Sequence, residues 1–143
     1  MSFDLQVLNG DLVISNSTGD LAIVQDTAKL EQDIIKILLT PVGGNTLNPW
    51  YGSLINKTII GSVLSPQLQL SMAQSQIQSA LENFQKLQGI QVQSGQQVSP
   101  AEQLASISSI SITQSTIDPR AINIFVAVLN KAFGSVPVSF TMS

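Results

Sequence analysis

Apolar and polar residues alternate from the start of the chain, with Phe3, Leu5 and Val7 separated by Asp4 and Gln6. Asn9-Gly10 is hairpin-turn chemistry, because both residues tolerate positive φ. Leu12, Val13 and Ile14 follow, then a second turn at 16–20, then Leu21, Ile23 and Val24. Residues 1–25 therefore predict a β-meander, or an arm that pairs elsewhere. Strands this short are marginal alone and need a surface to pack on.

The period then changes. Leu30, Ile34, Ile37 and Leu38 recur at helical spacing, widened by Ile35 and Leu39. Asp26 or Thr27 is the candidate N-cap. Pro41 disfavours helix at Thr40 and predicts a stop there. Leu54 to Leu64 is an apolar stretch broken by Gly61 and has no firm assignment. Ser65-Pro66 predicts a second helix, with Ser as cap and Pro in the first turn. Its stripe is Ala73, Ile77, Ala80, Leu81, Phe84 and Leu87, and Gly89 is the expected stop. Residues 90–105, rich in Gln, Ser and Gly, are expected to be a strand end followed by an exposed loop.

Three strands close the chain. Over 106–115, Ile110 and Ile112 share a face while Ile107 is out of phase, which a bulge at Ser108-Ser109 reconciles. Asp118-Pro119 turns the chain. In Ala121–Leu129, Ile122, Ile124, Val126 and Val128 point one way and Phe125, Ala127 and Leu129 the other, so both faces are expected to be covered. Val136, Val138 and Phe140 alternate in a last strand that Pro137 confines to an edge. The whole predicts an α+β protein: two main helices packed on a small, mostly antiparallel β-sheet, with the N-terminal strands (1–25) added to a domain at 26–143.

Composition narrows the function. Only 10% of the 143 residues are charged, against roughly 25% in an ordinary soluble domain. A surface of Gln, Ser, Thr and Asn loses its water at little cost, which suits a chain covered by neighbours. The net charge is -3 and no Lys/Arg run occurs, so phosphate-backbone binding to nucleic acid has no electrostatic basis. Cysteine and histidine are both absent. That removes thiolate metal sites and the usual proton shuttle. The N-terminus lacks a signal-peptide pattern, and no apolar run near it is of membrane-spanning length. Synthesis in a cytoplasm is the expectation.

The acidic residues offer no facing pair for glycoside hydrolysis. Glu31 and Asp33, two apart on a helix, point in different directions. Ser-x-x-Lys spacing is absent. Trp50-Tyr51 reads either as a sugar or base platform or as an anchor packing its loop onto the domain, with the anchor favoured. No catalytic residue, metal or cofactor is expected.

Leu38-Leu39-Thr40-Pro41, then Gly43, Pro49 with Trp50, and Tyr51-Gly52-Ser53, resembles the gene-25-like, or W-like, baseplate wedge family of contractile phage tails. These proteins are also called sheath initiators. Leu30, Gln32, Asp33 and Ile34 support the resemblance, which covers about Leu21 to Leu129. One departure stands out: Phe84 is followed by Gln85, Lys86 and Leu87 where the family often has Glu-Pro-Arg. The resemblance implies a non-enzymatic virion protein, six copies per baseplate, assembled in a bacterial cytoplasm. Its implied partners are the tail sheath protein and other wedge, hub and tube proteins. Sheath strands would add by β-augmentation to the strands carrying Ile110, Ile112, Ile122, Ile124, Phe125, Val126, Val128, Val138 and Phe140. Two rivals are a tail-associated peptidoglycan hydrolase and a hub or adaptor of a sheathless tail.

Overall fold

The structure, a computed structural model, describes residues 3–8, 11–55, 66–114, 116–117 and 121–142. The turns read at Asn9-Gly10 and Asp118-Pro119, the Ser65 cap and most of the Leu54–Leu64 stretch lie outside them.

The fold is α+β. Helix α1, Asp26–Leu39, buries Leu30, Ile34, Ile37 and Leu38, the predicted stripe. Its start differs from expectation. Gln25 holds the N-cap position without a side-chain bond, and Asp26 is the first helical residue, at φ +54°. Asp26 instead accepts a hydrogen bond from the Ser99 hydroxyl (2.8 Å). Asp is among the few non-glycine residues that enter the left-handed region readily. A contact far along the chain thus takes the carboxylate that local pattern assigned to capping.

Helix α2, Pro66–Gln93, buries Ala73, Ile77, Ala80, Leu81 and Phe84 along the expected face. It runs through Gly89, which was the expected stop. One glycine in a long helix costs only about 1 kcal/mol, and the helix ends where the geometry changes, at Gly95 (φ +88°). There Gln96 N–H donates to Gln91 O (3.1 Å) and Gly95 N–H to Val92 O (3.2 Å), a Schellman closure. Residues 90–105 are therefore the last turn of a helix, a short 3-10 turn at Pro100–Glu102 and the start of a strand, not a strand end and open loop.

The N-terminal strands are β1 (Asp4–Leu5), β2 (Val7–Leu8), β3 (Asp11–Leu12) and β4 (Ile23–Val24). β1 pairs with β4 and β2 with β3, both antiparallel. Backbone bonds from Gln6 to Ala22 and from Val13 to Gln6 knit the two pairs together.

The C-terminal sheet has the order β5-β6-β7, all antiparallel: Leu104–Gln114, Ile122–Asn130 and Ser135–Met142. The register slips between Ile107 and Ser109, where the bulge was expected, and also between Leu104 and Ser106. The slip puts Ile107, Ile110 and Ile112 on one half-buried face. β7, with Pro137, is an edge.

One core joins the layers: Leu30, Ile34, Ile37 and Leu38 of α1, Ile77, Leu81 and Phe84 of α2, and Ile124, Val126, Val128 and Val138 of the sheet. Two side-chain amides bolt α2 to the sheet. Gln88, buried, donates to Glu102 O and accepts from Leu104 N–H, both at 2.7 Å. Gln85 donates to Ala105 O at 3.0 Å. Gln85 stands where the resembled family often has its Glu-Pro-Arg triplet, and it holds β5 directly.

Candidate functional site

The loop after α1 closes on itself by a short series of bonds. Thr40 N–H and Oγ1–H both donate to Lys36 O, ending the helix. Ser53 N–H then donates to Thr40 O (2.8 Å) and Val42 N–H to Ser53 O (3.3 Å), a parallel bridge between the loop's two ends. The buried Ser53 hydroxyl donates to Leu38 O (2.6 Å). Inside, Gly43 N–H reaches Pro49 O, and Asn45 Oδ1 accepts from Leu47 and Asn48 N–H. Gly43 and Gly52 both have positive φ. At Gly52 a Cβ would lie 2.5 Å from Thr40 O and 2.9 Å from the Pro41 carbonyl. Each position of the motif Thr40, Pro41, Gly43, Pro49, Tyr51, Gly52 has a local job in this closure.

Of the two aromatics, Tyr51 is the one that reaches the core, while the Trp50 ring is 38% exposed. Adjacent residues on a turn diverge, and only one can face inward. We expect Tyr51→Ala to lower stability by about 2–3 kcal/mol, and Trp50→Ala by less than that, in denaturant melts.

Tyr51 sits near Asp33 of α1. Burial, with a smaller contribution from the Asp33 charge, pushes its hydroxyl up to about 12. Burial also pushes the Asp33 carboxyl up, opposed by its 2.8 Å bond to Lys29. A phenol that titrates later when folded keeps its native proton after the unfolded chain has lost its own. Stability linked to Tyr51 is thus intact below the ordinary value of about 10 and falls as pH climbs from there toward 12. Tyr51 is the sole tyrosine. Its absorbance titration should centre near pH 12, and a midpoint near 10 would place the ring in solvent. Tyr51→Phe should remove that part of the alkaline loss.

Most of the strand residues expected to meet a partner face the chain's own core. Ile122, Ile124, Val126, Val128 and Val138 are buried, and Ile110, Ile112 and Phe140 pack on the same cluster. β6 is also central, with both edges already paired. Of that set only Phe125 looks outward, 43% exposed. The chain's own helices cover one face of β6, not two. On the outer face a shallow depression surrounds Phe125, lined by Ser111, Thr113, Asn123, Ser139 and Thr141. What the sheet leaves open is backbone, along β5 and β7. No residue of β5, β6 or β7 is charged. The bulges blunt the start of β5, and Pro137 blunts the start of β7. The unblunted stretches, Ser109–Thr113 and Val138–Met142, lie at the same end of the sheet.

Two carboxylates not paired by sequence are joined through one serine. Ser99 donates its hydroxyl to Asp26 and its backbone N–H to Glu102 Oε2 (3.2 Å). Glu102 is 0% exposed, so no sugar can reach it. The three residues fasten the 3-10 turn to the start of α1. Among the described residues, no group of three acidic side chains is gathered to hold a metal ion. Nor is any helix there long and apolar enough to cross a membrane.

No family model and no curated protein matches the sequence. A solved structure shares the fold. It is the crystal structure of a "putative tail lysozyme" from Geobacter sulfurreducens, with a TM-score of 0.60. The match covers 85% of this chain and 95% of that one, at 13% identity. At that identity the likeness to the Geobacter protein is one of architecture. The likeness takes in nearly the whole of that chain and most of this one.

Proposed function

We propose that this chain is a structural component of a contractile-tail baseplate that starts the sheath. It acts by offering β5 or β7 as an edge for incoming sheath strands. One observation carries the reading: a three-stranded sheet, backed by two helices, with two uncharged outer strands whose open segments share one end. Natural edge strands are normally defended by charge. An undefended edge on a rigid support fits main-chain addition, where backbone bonds give affinity and side-chain alternation sets register. The loop motif's resemblance to the baseplate wedge family supports the reading, and so does the fold shared with a protein described by its tail. Six copies per baseplate, contacts with wedge, hub and tube proteins, a place in the virion and assembly in a bacterial cytoplasm belong to the same proposal. So does the absence of enzymatic activity.

The test charges the edges without touching the core. Ser111 and Ser139 are exposed and flank Phe125 on the outer face. Ser111→Lys with Ser139→Lys should give particles with tubes and baseplates but no polymerised sheath, while the purified variant melts normally. Normal sheaths on such particles would refute the mechanism.

The description of the Geobacter protein favours a second reading, a tail-bound peptidoglycan hydrolase. It requires the purified chain to clear a cell-wall suspension. If clearing occurred and survived Asp26→Asn and Glu82→Gln, another group would have to carry it.

A further inference from the structure

The N-terminal sheet faces the wrong way for a free monomer. Direct partners in an antiparallel pair share a face. The pairs Leu5–Ile23, Val7–Leu12 and Ile14–Leu21 therefore lie on one side, joined by Phe3 through alternation. All seven side chains are large and apolar, and each is 38–63% exposed. The opposite side carries Asp4, Gln6, Val13, Ala22 and Val24, all less exposed, and only at its far end the exposed pair Leu8 and Asp11. The sheet is also held firmly. Gln32 of α1 donates to Leu5 O and accepts from Val7 N–H, both at 2.9 Å, filling the free edge of the first strand. The apolar side is thus a fixed surface presented to solvent.

We infer that two copies of this chain pair through that surface, face to face, as a small β-sandwich. Three features favour a second copy as the occupant. The surface carries no charge, so placing it against itself buries no unpaired ion. It is a twisted β-face, and aligned sheets pack by interleaving such faces. Its area is also sufficient. A large apolar side chain carries on the order of 150–200 Å², so these exposures amount to roughly 600 Å² per copy. Two copies then bury roughly 1,200 Å², within the range of specific interfaces. The contact uses the same patch on both partners, so it closes at two. It concerns the free protein and does not depend on the sheath reading.

Sedimentation of the purified chain at micromolar concentration should give twice the chain mass. Ile14→Glu with Leu21→Glu, an opposed pair in the middle of the face, should sediment as a monomer with an unchanged circular dichroism spectrum. A wild-type monomer would overturn the proposal and assign the face to a different chain. A double variant that stays dimeric, or open-ended oligomers of the wild type, would overturn it as well. A second measurement covers the case where the double variant does not fold. The chain has no cysteine, so Ile14→Cys supplies a unique thiol. It should react with a maleimide several-fold more slowly at high protein concentration than at low, whereas Ser75→Cys on the exposed side of α2 should react equally at both. Equal rates at position 14 would refute the pairing.

Discussion

Gly52→Ala is expected to lower stability by about 3 kcal/mol or more, and to drop the melting temperature by roughly 10 °C. Two effects add. The residue sits at φ +121°, which an L side chain tolerates poorly. The new methyl would also lie 2.5 Å from Thr40 O, an atom already held by Ser53 N–H. Neither neighbour is a flexible side-chain end, so relief must come from moving the backbone where α1 stops. Gly43→Ala is the control. Gly43 also has positive φ, but nothing lies within 4 Å of its added Cβ. It should lose only the conformational part, about 1 kcal/mol. If the two variants melt together, the close approach at Gly52 is not what closes the loop.

Gln88→Met should be nearly as damaging as Gln88→Ala, with losses of about 3 kcal/mol in urea unfolding. Met matches Gln in length and shape but can neither accept from Leu104 N–H nor donate to Glu102 O. Both backbone groups would then be left without this partner in a buried setting. A packing role would make Met harmless and Ala costly. Loss of less than 0.5 kcal/mol in the Met variant would show that packing governs the position.

Sequence pattern located several features closely. The α1 stripe, the stop before Pro41, the bulge near Ser108 and the edge position of β7 all follow from local steric rules or strict periodicity. The errors share a different cause. Asp26 looked like a cap, but its partner is Ser99, 73 positions away. Gly89 looked like a stop, but Gln88 beside it is tied to β5, and the helix continues past both. The strand residues expected to meet a partner alternate in apolar character, and the same alternation is what a chain's own core requires. Periodicity sorts side chains into two faces without saying which one meets solvent. In the C-terminal sheet the richer apolar face points inward; in the N-terminal sheet it points outward. Trp50 and Tyr51 show the same limit at one turn, where two neighbouring aromatics were indistinguishable until one was found against the core. Gln85, which fastens β5 to α2, carries no signal of its own in a chain so rich in glutamine, and the resemblance that includes Gln32 does not say that it holds the first strand.

The lack of charge on β5, β6 and β7 has a kinetic consequence. Charged surfaces draw their partners in from a distance, and dissolved salt weakens that pull. This sheet has no such field of its own. If strands join this edge as proposed, the sheet itself lends them no steering, and the rate of joining should respond to salt only weakly, through the chain's net charge of -3.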